Sequence, residues 1–192
     1  MDFFLLDTTG DLNDETLGVV KDSPAGMGLK DYKLARGKPA REDVPPDVEL
    51  FLDPDSAGMV LKDVLGNLRG YFLGSAKVVE TIRSSFPELN VEFIPFTLRD
   101  QKERVCKAEY SFVNPLDHRE CLHEAKSEIE YDEDGTVLMI KDYVIDKTKA
   151  ENLPHLFRIA EDPGKYVFSR DFGRAMQAAG VKGLQGILLE QA

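Results

Sequence analysis

The chain has 192 residues, 42% of them hydrophobic and 31% charged, and carries a formal net charge of −11. That is enough apolar material for one domain or two small ones, and such an acidic surface repels phosphate backbones and anionic membranes, which argues against nucleic-acid binding and membrane insertion. No apolar run reaches the roughly 18 residues of a membrane span, residues 1–7 lack the basic region of a secretory signal, and two cysteines, Cys106 and Cys121, make no disulfide framework, so a reducing cytoplasm is the expected compartment.

Residues 2–6, Asp-Phe-Phe-Leu-Leu, predict a first strand. Residues 8–47 are rich in Gly, Pro and Asp and read as a long irregular arm, either wrapping the surface passively or contacting a partner. Residues 48–52 predict a second short strand. Residues 57–65 carry a weak helical pattern in Val60, Leu61, Val64 and Leu65.

Residues 70–73 then predict a strand, and Ser75 stands where a helix N-cap belongs. Val78, Val79, Ile82 and Phe86 follow on one helical face, Pro87 and Asn90 close the helix, and residues 91–96 return as a strand. The C-terminus repeats the pattern. Residues 166–168 predict a strand, Ser169 a cap, Phe172, Ala175, Met176 and Ala179 a helical face, Gly180 the left-handed closing residue, and 184–189 a returning strand. The two strand–Ser–helix–strand units are either a structural duplication or a coincidence common among α/β proteins.

Between them the period is two. Cys106, Ala108, Tyr110 and Phe112 alternate with polar residues over 105–113, and residues 121–131 alternate again, with Glu124, Lys126, Glu128 and Glu130 on one side. The run Asp132-Glu133-Asp134-Gly135 predicts a hairpin turn, with residues 136–141 as the return strand. The expected fold is α+β or α/β: a mixed sheet with two strand–Ser–helix–strand units flanking a central antiparallel β-hairpin region. Its expected division is 1–47 as strand and arm and 48–192 as the main domain, with one compact domain including the arm as the alternative.

Catalytic signals are sparse. His118, Cys121 and His123 place three possible metal ligands within six residues, but a structural zinc site needs a fourth ligand that only Cys106 or His155 would bring, from a distance. A Cys–His nucleophile would need an orienting third group, and cysteines in alternating strands are commonly small buried hydrophobes. Ala25-Gly26-Met27-Gly28 is no phosphate loop, and no Gly-x-Ser-x-Gly elbow occurs. The expectation is no catalytic residue, no metal and no cofactor.

Charge is more informative. Residues 117–134 hold eight acids against two bases, Arg119 and Lys126. Such a strip steers a basic partner at low salt or, more plainly, keeps a solvated edge from aggregating. The expected contact residues are Glu124, Glu128, Glu130, Asp132, Glu133 and Asp134.

Residues 70–75 (Gly-Tyr-Phe-Leu-x-Ser), Val91-x-Phe93-x-Pro95-Phe96, Tyr110-x-Phe112-Val113-Asn114-Pro115-Leu116, Cys121-Leu122, Ser127, and the closing Val167-Phe168-Ser169 with Phe172, Ala175, Gly180, Gly183 and Leu184 occur in one order. In that order and spacing, residues 50–189 resemble the eleventh numbered family of polymorphic-toxin immunity proteins, formerly a domain of unknown function. The resemblance implies a bacterial, cytoplasmic antidote that binds and neutralises a cognate secreted protein toxin, and it implies no catalytic residues. The alternatives are a binding or regulatory module with a non-toxin partner, and a small metal- or Cys-dependent hydrolase. A homo-oligomer is neither demanded nor excluded by these residues.

Overall fold

A computed structural model describes residues 1–192, and the fold is mixed α+β. In chain order the elements are β1 (Phe3–Asp7), β2 (Val19–Val20), a 3-10 turn (Gly28–Asp31) running into α1 (Tyr32–Ala35), β3 (Glu49–Phe51), β4 (Val64–Asn67), β5 (Leu73–Ser75), α2 (Ala76–Ser85), β6 (Val91–Arg99), β7 (Tyr110–Pro115) and β8 (His118–Arg119). There follow α3 (Glu124–Ser127), β9 (Ile129–Tyr131), β10 (Val137–Ile140), β11 (Val144–Ile145), a 3-10 turn (Ala150–Asn152), β12 (Leu156–Ile159), β13 (Tyr166–Ser169), α4 (Arg170–Ala178), β14 (Gln185–Leu188) and β15 (Glu190–Gln191).

A six-stranded sheet has the order β2-β4-β5-β7-β6-β3, and a five-stranded one β14-β1-β13-β12-β8. In the first, β7 lies between β5 and β6 and is antiparallel to both, so β5 and β6 run parallel with α2 as their crossover. In the second, β1 lies between β13 and β14 and is antiparallel to both, with α4 as the crossover. The two units therefore share one split strand–helix–strand arrangement, each completed by a strand from elsewhere in the chain.

Alternation along the strands sorts the core into three layers. Leu73, Ile94, Phe96, Leu98, Tyr110 and Phe112 of the six-stranded sheet pack with Val20, Met27, Leu34, Ala40 and Val44 of the arm. Phe72, Val113, Val78 and Ile82 pack with Tyr166, Phe168, Phe172 and Met176, so both helices are sandwiched between the sheets. Phe86 of α2's end stacks on Phe172 of α4 at 5.5 Å. The far face of the five-stranded sheet, Phe3, Phe157, Ile159 and Val167, is covered by Cys121, Leu122, Ile145 and Ala150.

Arg158 ties these layers together. It is fully buried, and its guanidinium donates to the carbonyls of Leu34 (2.7 Å), Ala35 (2.8 Å), Pro115 (3.2 Å) and Pro163 (2.7 Å), to Asn114 Oδ1 (3.1 Å) and to the Tyr166 hydroxyl (2.9 Å). Arm, six-stranded sheet and five-stranded sheet meet on this one side chain. Gly37 has φ +63°, and a Cβ there would lie 2.3 Å from the Arg158 Cδ, so the arm passes close only because the residue is glycine.

Four local expectations are corrected. Residues 57–65 form no helix: Met59 and Val60 donate to the Thr16 carbonyl, Gly18 donates to that of Val60, and β4 begins at Val64. A Cβ on Gly58 would lie 2.0 Å from the Leu17 carbonyl oxygen, so tertiary pairing with the arm overrides the weak helical pattern. The strand expected over 105–113 starts only at Tyr110, because Val105 and Cys106 pair out of that register with Arg99 and Leu98. The strand expected over 121–131 is broken by α3, with Glu128 left-handed at φ 48°, and resumes only at Ile129. Finally, Ser169 caps α4 as expected, accepting from the Phe172 N–H at 3.1 Å, whereas the Ser75 hydroxyl donates to Asp63 at 2.8 Å and caps nothing.

Candidate partner-binding surface

The hairpin of β9 and β10 is a two-stranded sheet paired with no other strand. Its base is fixed. Ile129 and Ile140 pack on the third core layer, the Ser127 hydroxyl lies within hydrogen-bonding distance of both the N–H and the carbonyl of Val144 (3.2 and 3.3 Å), and the His123 N–H donates to the Val144 carbonyl at 2.8 Å. Its tip is closed by Asp132, whose Oδ1 accepts from the N–H groups of Asp134 (3.0 Å) and Thr136 (2.8 Å), with Gly135 at φ +78°.

The expected contact acids fall into two kinds. Glu128 is paired with Lys141 at 2.6 Å, and Asp132 is committed to the turn. Glu124, Glu130, Glu133 and Asp134 are exposed and form no salt bridge. The acids do not share one strand face, because Glu124 sits in the first turn of α3 and Glu130 on β9. Of the four, Glu124 acts on the hairpin through Tyr131. The Tyr131 phenol is pushed above its usual value by burial first, and then by the carboxylates of Glu124, Glu161 and Glu120.

Sequence reasoning missed the apolar part of this surface. Val137 faces Tyr131 and Met139 faces Glu130, so Leu138 is an extra residue bulged out of the ladder. Leu138 is 66% exposed, Met139 49% and Tyr131 43%. No sequence signal marks the bulge; the unbroken run Val137-Leu138-Met139-Ile140, too apolar for a hairpin with one wet face, is the nearest to one.

The candidate metal and nucleophile groups are engaged separately. His118 Nε2 lies 2.9 Å from the Arg36 carbonyl, His123 Nδ1 accepts from the Lys126 N–H at 3.4 Å, and His155 Nδ1 lies 2.7 Å from the Ser169 hydroxyl. Cys121 is fully buried, and burial followed by the Glu161 carboxylate pushes its thiol up to about 12. Burial also raises Cys106 first of all. A thiol so placed is protonated at neutral pH and is a packing group. No three His, Cys, Asp or Glu side chains converge as metal ligands. A groove of about 1110 Å³ runs between α2 and β6 past Val79, Arg83, Phe93 and Val105, with the Arg83 guanidinium 4.9 Å over the Phe93 ring. Both signs of charge border it, at Glu80, Glu109, Arg83 and Lys107.

No helix is long and apolar enough to cross a membrane. The immunity protein family Imm11 matches residues 2–188, and the chain belongs to that family, whose context is that of the polymorphic toxins. A search of curated proteins finds no match.

Proposed function

We propose that the chain binds and neutralises a cognate protein toxin in the cytoplasm of the cell that makes it, by covering the toxin rather than by chemistry of its own. Family membership supports the antidote role. The observation that supports the binding face is the set of exposed carboxylates without a salt bridge: Glu130, Glu133 and Asp134 on a hairpin fixed at its base, and Glu124 on α3 just before it. Like charges held together raise the local field, which speeds encounter with a basic surface and favours its correct orientation. The Cys121 thiol, protonated and enclosed, does not compete as a nucleophile.

Co-production tests this directly. A toxin encoded beside this chain's gene is expressed alone and together with the chain, and the pair is purified. Survival only in the presence of the chain, with a complex that persists through gel filtration, is the expected result. Death in both cases with no complex contradicts the reading, and recovery of a non-toxin protein from native-host lysate favours a different partner class.

A further inference from the structure

We infer that the energetic centre of toxin binding is the bulge-presented pair Leu138 and Met139, and that the toxin meets it with an apolar pocket flanked by Lys and Arg. This rests on the proposed antidote function and deepens it.

The bulge is what makes the surface. In a regular two-stranded ladder Leu138 and Met139 would point to opposite faces. The extra residue brings both to the face of Glu130, opposite Ile129 and Ile140, where Leu138 is 66% and Met139 49% exposed. Met is enriched where interfaces are fully buried, and apolar anchors bind best when bordered by polar residues that keep water out. Here Glu130 stands directly opposite Met139, and Glu124, Glu133 and Asp134 are exposed on the same segment of chain.

The same acids select the occupant. A second copy of this chain would bring four unpaired carboxylates and a net charge of −11 against an identical set, and like charges across an interface are costly. A nucleic acid or an anionic lipid surface meets the same repulsion. A basic polypeptide is the class that matches both the apolar centre and the acidic rim. The hairpin is pre-organised by its Asp132 turn and its Ile129 and Ile140 base, so little ordering accompanies docking.

The rate constants separate centre from rim. Binding of the non-toxic form of the toxin encoded beside this chain's gene is followed by surface plasmon resonance for wild type and for L138S/M139S, with thermal melting as a check on folding; both positions are exposed, so the variant folds. The expected result is an off-rate about thirtyfold faster, with an on-rate within about threefold of wild type. Wild-type kinetics in L138S/M139S overturn the inference and leave the antidote function standing. No binding by wild-type protein overturns the function, and the inference with it. Conversion of a wild-type dimer to monomer by L138S/M139S overturns the inference in favour of a second copy as occupant.

Discussion

At the scale of single residues, Arg158 carries an unusual share of the fold. It is buried without a carboxylate, and burial, the first cause, lowers its pKa, opposed by the Tyr166 phenol. Backbone carbonyls from three parts of the chain replace a counter-ion, and its guanidinium stacks 4.0 Å from the Tyr166 ring. Replacement by Met keeps the stem but leaves the carbonyls of Leu34, Ala35 and Pro163 without their donor. Arg158→Met is expected to lower unfolding free energy by about 3–5 kcal/mol in urea titrations. A loss under about 1 kcal/mol would mean that water reaches these carbonyls and that the arm is held by apolar contact alone. Glu161 shows the opposite situation. Burial first, with Glu120 adding to it, raises its carboxyl above the usual value, and its Oε2 is enclosed without a partner. The folded state therefore binds this proton more tightly than the unfolded state. The associated stability is full below the unfolded pKa and is lost as pH rises through the folded one. Glu161→Gln is expected to raise the melting temperature near pH 7 by about 2–4 °C, with the gain vanishing below about pH 4. A gain that persists in acid would assign the effect to packing instead.

At the scale of elements, the two units begin alike and differ in one hydroxyl. Ser75 and Ser169 have nearly the same backbone, ψ 168° and 162°, yet only Ser169 caps its helix. Asp63 explains the difference. It accepts from Ser75 (2.8 Å), Lys77 (3.1 Å) and the Lys182 N–H (2.8 Å), joining the start of α2 to the segment after α4. Burial opposes the charged form of Asp63, but the Lys182 N–H, the Ser75 hydroxyl and Lys77 outweigh it and hold the carboxyl below its usual value. Ser169→Ala is expected to cost about 1 kcal/mol on its own, whereas Ser75→Ala should couple with Asp63→Asn in a double-mutant cycle by at least about 0.5 kcal/mol. Strict additivity of the Ser75 and Asp63 substitutions would restore a simple cap at Ser75. These elements also show what is legible from sequence. The buried faces of α2 and α4, the Schellman closure at Gly180 and the hairpin turn at 132–135 depend on residues a few positions apart, and each reads correctly. Residues 57–65 and 121–128 do not, because their conformations are set by Thr16 and Leu17 in the first case and by Val144 in the second, partners that no local pattern names. At the candidate surface the charge was legible, since Glu124, Glu130, Glu133 and Asp134 all fall at exposed positions. The apolar centre was not, since one bulged residue decides which way Leu138 and Met139 face.

At the scale of the whole molecule, three packed layers form the body, and the β9–β10 hairpin pairs with no other strand. The arm closes one face of the six-stranded sheet, the helices fill the middle, and the segment from Cys121 to Ala150 closes the far face of the five-stranded sheet while presenting the hairpin. An exposed acidic hairpin on a layered body suits the proposed capture of a basic partner from solution, and it gives the central claim a kinetic signature. The association rate of the purified chain with its toxin is measured by stopped flow across ionic strength, for wild type and for E130K/E133K/D134K. The account predicts a wild-type rate that falls steeply with salt and a variant at least about tenfold slower at low salt, the two converging as screening shortens the reach of charge. Identical rates and identical salt slopes for the two proteins would contradict it.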